Sequence, residues 1–238
     1  MMHRRHFLKG AAAAAAVFDG PPPSAPGADS KWRLTPPTRG RIPVAFVIGP
    51  YATMIDFAGP WEVFQDVMVP DRGASHEEQM PFELFTVAEN PGTLRVTGGM
   101  QVTPDYTIEN APPPRVIVIP AHRGSAKLVD WIRTASVKAD ITLSVCTGAF
   151  HLARTGLLNG KAATTHHQFL DAFAREFPDV QVERGVRFVE HDRVATAGGL
   201  TSGIDLALRI VDRYFGRDVA QRTASYMEYE SRGWVVAT

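Results

Sequence analysis

The chain holds one cysteine, Cys146, among its 238 residues. A lone thiol excludes an intramolecular disulfide framework and argues against a structural zinc site. It also leaves the redox compartment unreadable from cysteine pairing. Charge of one sign is missing too. The chain has 25 Lys and Arg against 25 Asp and Glu, without a basic run, so neither nucleic acid nor a membrane surface is an expected partner. No apolar stretch reaches the roughly 20 residues needed to span a bilayer. No Gly-rich phosphate loop follows the first strand, and the eight histidines lack ligand spacing. Neither a nucleotide cofactor nor a metal is therefore expected. What remains is 45% hydrophobic content, enough for a sizeable core.

The N-terminus differs from the rest. "MMHRRHFLKGAAAAAAVF" has a basic head with Arg4 and Arg5, then Phe7-Leu8-Lys9, then an alanine-rich run. It resembles a twin-arginine export signal, which implies a periplasmic protein with no membrane anchor in its mature form. The competing reading is a polar tail that happens to contain Arg-Arg. Pro, Gly, Ser and Ala dominate residues 19–37 and suggest a tether. The expected division is 1–38 for signal and tether and 39–238 for one folded domain.

Beyond the tether, strand and helix patterns alternate. "RIPVAFVIG", "FELFTVAE", "VIVIP" and "ITLSVC" read as strands. "FAGPWEVFQDVM" reads as a helix with Pro60 in its first turn, and "SAKLVDWIRTASVKA" as another. "LRVTGGMQVTPDYT" suggests a hairpin at Gly98-Gly99. "TTHHQFLDAFAREFP" predicts a helix ended by Pro178, and residues 180–199 a strand, a turn and a strand. Two helices close the chain. Alternation of this kind predicts a three-layer α/β sandwich with a mostly parallel central sheet.

In such folds, ligands sit beyond the carboxyl ends of the strands. Three of those ends carry polar chemistry: Asp56 after the first strand, His122 and Arg123 after "VIVIP", and Cys146 after "ITLSV". Cys146 sits where a strand turns into a helix, a place that exposes a nucleophile to backbone N–H groups and favours its thiolate. A lone cysteine is also commonly a buried packing residue. Asp56 is a candidate acid or base, or else a helix N-cap. His166 and His167, after "ATT", are candidate polar residues near a helix start.

"IDFAGPWEVF", "SVCTGAF", "TGLLNGKAATTHH" and "ATAGGLTSGIDLALRIVDRYFGRDVAQRTASYMEYE" resemble the ThiJ/PfpI superfamily, of class I glutamine-amidotransferase-like fold. The resemblance runs from about Arg41 to Glu230 and points to isonitrile hydratases and to the sensor domains of AraC-type regulators. It implies a flavodoxin-like fold, a cofactor-free site, a small-molecule substrate and a homodimer. By motif, the nucleophile falls on Cys146 and the acid on Asp56. Thr147, Gly148, Gly59 and His166 fall around the pocket. In place of the usual Gly-Gly after "VIVIP" stand His122 and Arg123, so His122 is a candidate for proton transfer.

The implied reaction is hydration of an isonitrile to a formamide, with a Cys146 thiolate attacking while protonated Asp56 delivers a proton. The resemblance leaves two further readings open: a ligand-binding sensor, or a carbonyl-stress enzyme using the same thiol. The chain stops at Thr238, shortly after the matching segment ends at Glu230, so no DNA-reading segment is expected.

Overall fold

A computed structural model describes residues 32–236; the Arg4-Arg5 pair and most of the proposed tether lie outside them. The first half contains strand β1 (Ile42–Val47), helix α1 (Met54–Gln65), the short helix α2 (His76–Gln79) and strand β2 (Phe82–Ala88). Short strands β3 (Leu94–Arg95), β4 (Gln101–Val102) and β5 (Tyr106–Thr107) follow. The centre is β6 (Val116–Ile119), α3 (Ala126–Ser136), β7 (Ile141–Val145) and α4 (Gly148–Arg154). After it come β8 (Ala162–Ala163), α5 (Leu170–Glu176) and β9 (Gln181–Val182). Strands β10 (Phe188–Glu190) and β11 (Val194–Ala197) precede α6 (Ser202–Phe215) and α7 (Arg217–Tyr226).

The main sheet runs β10-β11-β7-β6-β1-β2-β5. Every pairing in it is parallel except β10–β11. Burial on both faces explains the unbroken apolar strands. In β6, Val116 and Val118 join the core beneath α1 and α6, whereas Ile117 and Ile119 join the core beneath α3 and α4. This period-two division makes the three expected layers. Because the strands are parallel, the ends of β1, β6, β7 and β11 meet at one edge.

Several local expectations change. Helix α1 starts at Met54, so Pro60 lies inside it rather than in its first turn. Proline has no N–H, so the carbonyl of Asp56 lacks its usual intrahelical donor. The β3–β4 hairpin forms as expected, but Tyr106–Thr107 leave it to join the main sheet beside β2. Residues 180–199 supply three strands instead of two: β9 pairs with β8 outside the main sheet, and β10–β11 form the antiparallel edge. Leu34 is buried, and its N–H donates to the carbonyl of Arg213 at 2.9 Å. The packed chain thus begins before Arg39, because one apolar side chain in the Pro-rich segment finds the core.

Candidate active site

Cys146 follows β7 directly, and α4 opens two residues later. Its backbone is left-handed, with φ 58°, an arrangement uncommon for a side chain other than glycine. Two hydrogen bonds hold it there. The Cys146 N–H donates to the Gly198 carbonyl at 2.7 Å, and the Thr165 hydroxyl donates to the Cys146 carbonyl at 2.8 Å. A Cβ on Gly148 would overlap the carbonyl oxygens of Ile119 and Pro120. Only glycine lets α4 begin against the end of β6. Gly148 therefore shapes the elbow. Tyr51 and Leu200, also with positive φ, follow β1 and β11 at the same edge. Of these, Leu200 meets the Asp56 carboxyl through its backbone, so two left-handed residues lie at the site.

Asp56 belongs to the first turn of α1 and is fully buried. The N-cap reading fails because Thr53 holds that position. Instead, Asp56 turns inward. Its Oδ2 accepts from the Ala121 N–H at 3.2 Å, and the backbone of Leu200 also interacts with the carboxyl. The Ala121 carbonyl accepts in turn from the Thr53 N–H at 2.8 Å, tying the end of β6 to the entry of α1. Oδ1 is buried without a geometrically sound hydrogen bond. The Cys146 thiol is nevertheless close enough that each group shifts the other's titration. The pair inferred from strand ends ninety positions apart does meet.

The protonation state differs from expectation. Burial pushes the Asp56 carboxyl up to about 6, against the lowering effect of its Ala121, Cys146 and Leu200 contacts. Burial, then the charge of Asp56, pushes the Cys146 thiol up to about 12. The N–H and hydroxyl of Thr147 oppose that shift but do not overcome it. At neutral pH the proton therefore sits on sulfur and Asp56 is the anion, not the reverse. The end of a seven-residue helix does not offset the desolvation of a cysteine that is 7% exposed.

The remaining candidates divide. Thr147 contacts the sulfur as predicted. Gly59 does not line the site: a Cβ there would meet Ile204, so this glycine serves α1–α6 packing. His122 turns away to stack on His151, with ring centroids 4.5 Å apart. Its Nδ1 lies 2.9 Å from the Arg123 carbonyl, Nε2 is enclosed without a partner, and burial holds its pKa down to about 3. A neutral imidazole engaged this way is not a proton donor to the site. His166 caps a short turn, its Nδ1 accepting from the Gln168 N–H at 3.3 Å, and its ring lies against Gly199. It borders the Gly198–Leu200 turn without contacting sulfur in any recorded hydrogen bond. Ala121, Leu200 and Thr165 were missed, since each acts through its backbone or holds a backbone group. The "ATAGGLTS" turn was the one available signal. Met54 and Ile55, just before Asp56 in the chain, and Leu200, whose backbone meets the carboxyl, are each over a third exposed. Among the described residues no cluster of His, Cys, Asp and Glu suits a metal ion, and no helix is long and apolar enough to cross a membrane.

Comparison with known proteins bears on this geometry. The sequence model of the DJ-1/PfpI family matches residues 43–213, and that of the twin-arginine translocation signal matches residues 1–18. An isonitrile hydratase of Pseudomonas putida is 30% identical over 79% of this chain and 78% of its own length. The HTH-type transcriptional regulator GbdR of Pseudomonas aeruginosa is 28% identical over 56% of this chain, but only 37% of the regulator is covered. A ThiJ/PfpI family structure from Pseudomonas syringae superposes with a TM-score of 0.69 at 24% identity, covering 81% of this chain and 76% of that one.

Proposed function

The chain belongs to the DJ-1/PfpI family, and from that premise we propose that it hydrates an isonitrile to an N-substituted formamide. The observation that carries this reading is the fully buried Asp56 carboxyl set beside the Cys146 thiol at the elbow. As sulfur attacks the terminal carbon of R–N≡C, the Asp56 carboxylate takes the thiol proton. It then delivers that proton to the same carbon, giving the thioimidate S–CH=N–R. Asp56, again a carboxylate, next deprotonates a water that adds to this carbon, and it passes the proton to nitrogen. Collapse expels sulfur and leaves H–CO–NH–R, while the hydroxyl proton returns through Asp56 to the thiol. The pair ends as it began, and no electron acceptor is required.

Access favours this substrate class. A cysteine only 7% exposed suits a slender isocyano terminus. Incubation with cyclohexyl isocyanide should yield the formamide, with the product absent in Cys146→Ala. A second reading, ligand sensing without turnover, is favoured by the regulator relatives; saturable isocyanide binding with no formamide would establish it over hydration. The proposal extends to export into the periplasm, supported by the match over residues 1–18. Arg4→Lys with Arg5→Lys should retain the protein in the cytoplasm, and an undiminished periplasmic fraction would overturn export.

A further inference from the structure

The Ala121-His122-Arg123-Gly124-Ser125 segment has a role that the sulfur site does not use. Its His122 ring turns onto His151, and the next residues border a separate cleft of about 260 Å³. Neither Cys146 nor Asp56 lines this cleft. It lies outside the ends of β1, β2 and β6, on the α3 side of the loop whose Ala121 N–H holds Asp56. Strands β1 and β6 are the neighbours from which the sheet grows in opposite directions. That switch point is where open α/β sheets leave a crevice. The cleft depends on two glycines. A Cβ on Gly49 would strike the Arg123 carbonyl and His122, and one on Gly124 would strike Leu128.

The lining has a specific composition. Ile48, Ala88, Leu94 and Leu128 supply an aliphatic surface. Arg123 and Glu89, of opposite charge, both border the cleft. Among the described residues, neither forms an ion pair with the other or with any third group. The Arg123 guanidinium is instead held over the Tyr51 ring at 4.5 Å from its centroid. Stacking fixes its position and leaves its N–H groups available. The N-terminus of α3, beginning after Ser125, adds partial positive charge on the Arg123 side. The volume falls below the roughly 300–1,000 Å³ of drug-sized pockets, so the occupant is small.

We infer that this cleft is a second binding site, independent of Cys146, for a small zwitterion: an aliphatic α-amino acid with its carboxylate on Arg123 and its ammonium on Glu89. The inference does not rest on the hydratase reading, because no reacting group is shared.

Calorimetric titration of the full chain with L-leucine tests it. Saturable one-to-one binding is expected, weakened at least about tenfold in Arg123→Met and in Glu89→Gln. Leucine lacking one charge, as 4-methylpentanoate or isoamylamine, should bind at least about tenfold more weakly than leucine itself. Cys146→Ala should bind leucine unchanged, which separates this site from the sulfur pocket. Circular dichroism should show both charge variants folded, since Arg123 is exposed and Glu89 half-buried. Equal affinity for either singly charged analogue would overturn the zwitterion assignment. Loss of binding in Cys146→Ala would move the ligand to the other site, and absence of saturable heat with all three probes would remove the site altogether.

Discussion

Asp56 and Asp212 are both buried carboxylates, on helices that pack against each other, and they are treated in opposite ways. Asp212 on α6 accepts from the Arg209 guanidinium at 2.9 Å and from Arg217 Nε at 3.1 Å. Arg209 in turn reaches Glu190 on β10. Among the described residues, Asp56 on α1 has no cation partner. It receives backbone N–H groups, keeps one oxygen without a good partner, and faces a thiol. A paired buried carboxylate holds neighbouring elements in place, and removing one member strands the other charge. An underpaired one is held near its titration point and can move a proton. The difference separates structural from chemical burial within a single layer of the molecule.

The comparison breaks or sharpens on measurable effects. The largest concerns activity: Asp56→Asn, measured as formamide production, should lose about 10³-fold or more, since in the proposed hydration one group serves as both base and acid. Asp212→Ala should retain the chemistry in whatever fraction stays folded. Second in size is stability. Asp212→Ala should destabilise the fold by about 2–3 kcal/mol in urea titrations, because Arg209 and Arg217 lose a common acceptor while Arg209 keeps Glu190.

Third, Asp56→Asn should stabilise the fold at pH 7 by about 1–2 kcal/mol. The folded-state pKa of Asp56 is raised to about 6. Between about pH 4 and pH 6 the native chain therefore keeps a proton that the unfolded chain releases, because the charged form is disfavoured in the fold. That penalty is absent below the ordinary carboxylate range, grows as pH rises through about 6 and is complete above it. The advantage of the amide should vanish near about pH 4, the ordinary carboxylate range. An Asp56→Asn variant less stable than the parent at neutral pH would show that the carboxylate is better satisfied than its contacts suggest.

The smallest expected effect is on the shape of the pH–rate profile. Turnover should rise with pH through about 6 as Asp56 ionises, then hold level across the neutral range, because the thiol titrates only near 12. A rise centred instead between about pH 8 and 9 would point to an ordinary thiol and to a working thiolate.

Much of the site could be read from the chain, and the losses have identifiable causes. The lone cysteine at a strand-to-helix junction and the aspartate after the first strand were legible because parallel strands send such ends to one edge. Gly59 and His122 were misplaced for a shared reason. A motif position says which loop a residue occupies, but not toward which layer its side chain turns. Leu200 and Ala121 left no trace, because a backbone N–H has no letter in a sequence. The charges of α6 hid a different fact: Asp205, Arg209, Asp212 and Arg213 carry the composition of a solvated helix, yet all four are buried. Arg187 reaches Asp205 from the β9–β10 loop, and Arg213 donates to the carbonyls of Trp32, His191 and Asp192.

The amino-acid order alone determined the layered α/β architecture, since apolar runs of strand length alternating with helical patterns can bury both faces of a sheet in few ways. It also determined which two side chains could be the chemical pair. Only the tertiary structure decided where their shared proton rests, because that balance depends on how completely each group leaves water and on which backbone donors arrive from distant loops. It likewise decided that the histidine after the third central strand stacks on His151 while the arginine beside it borders a different cleft, since the direction of a side chain is set by the packing it meets.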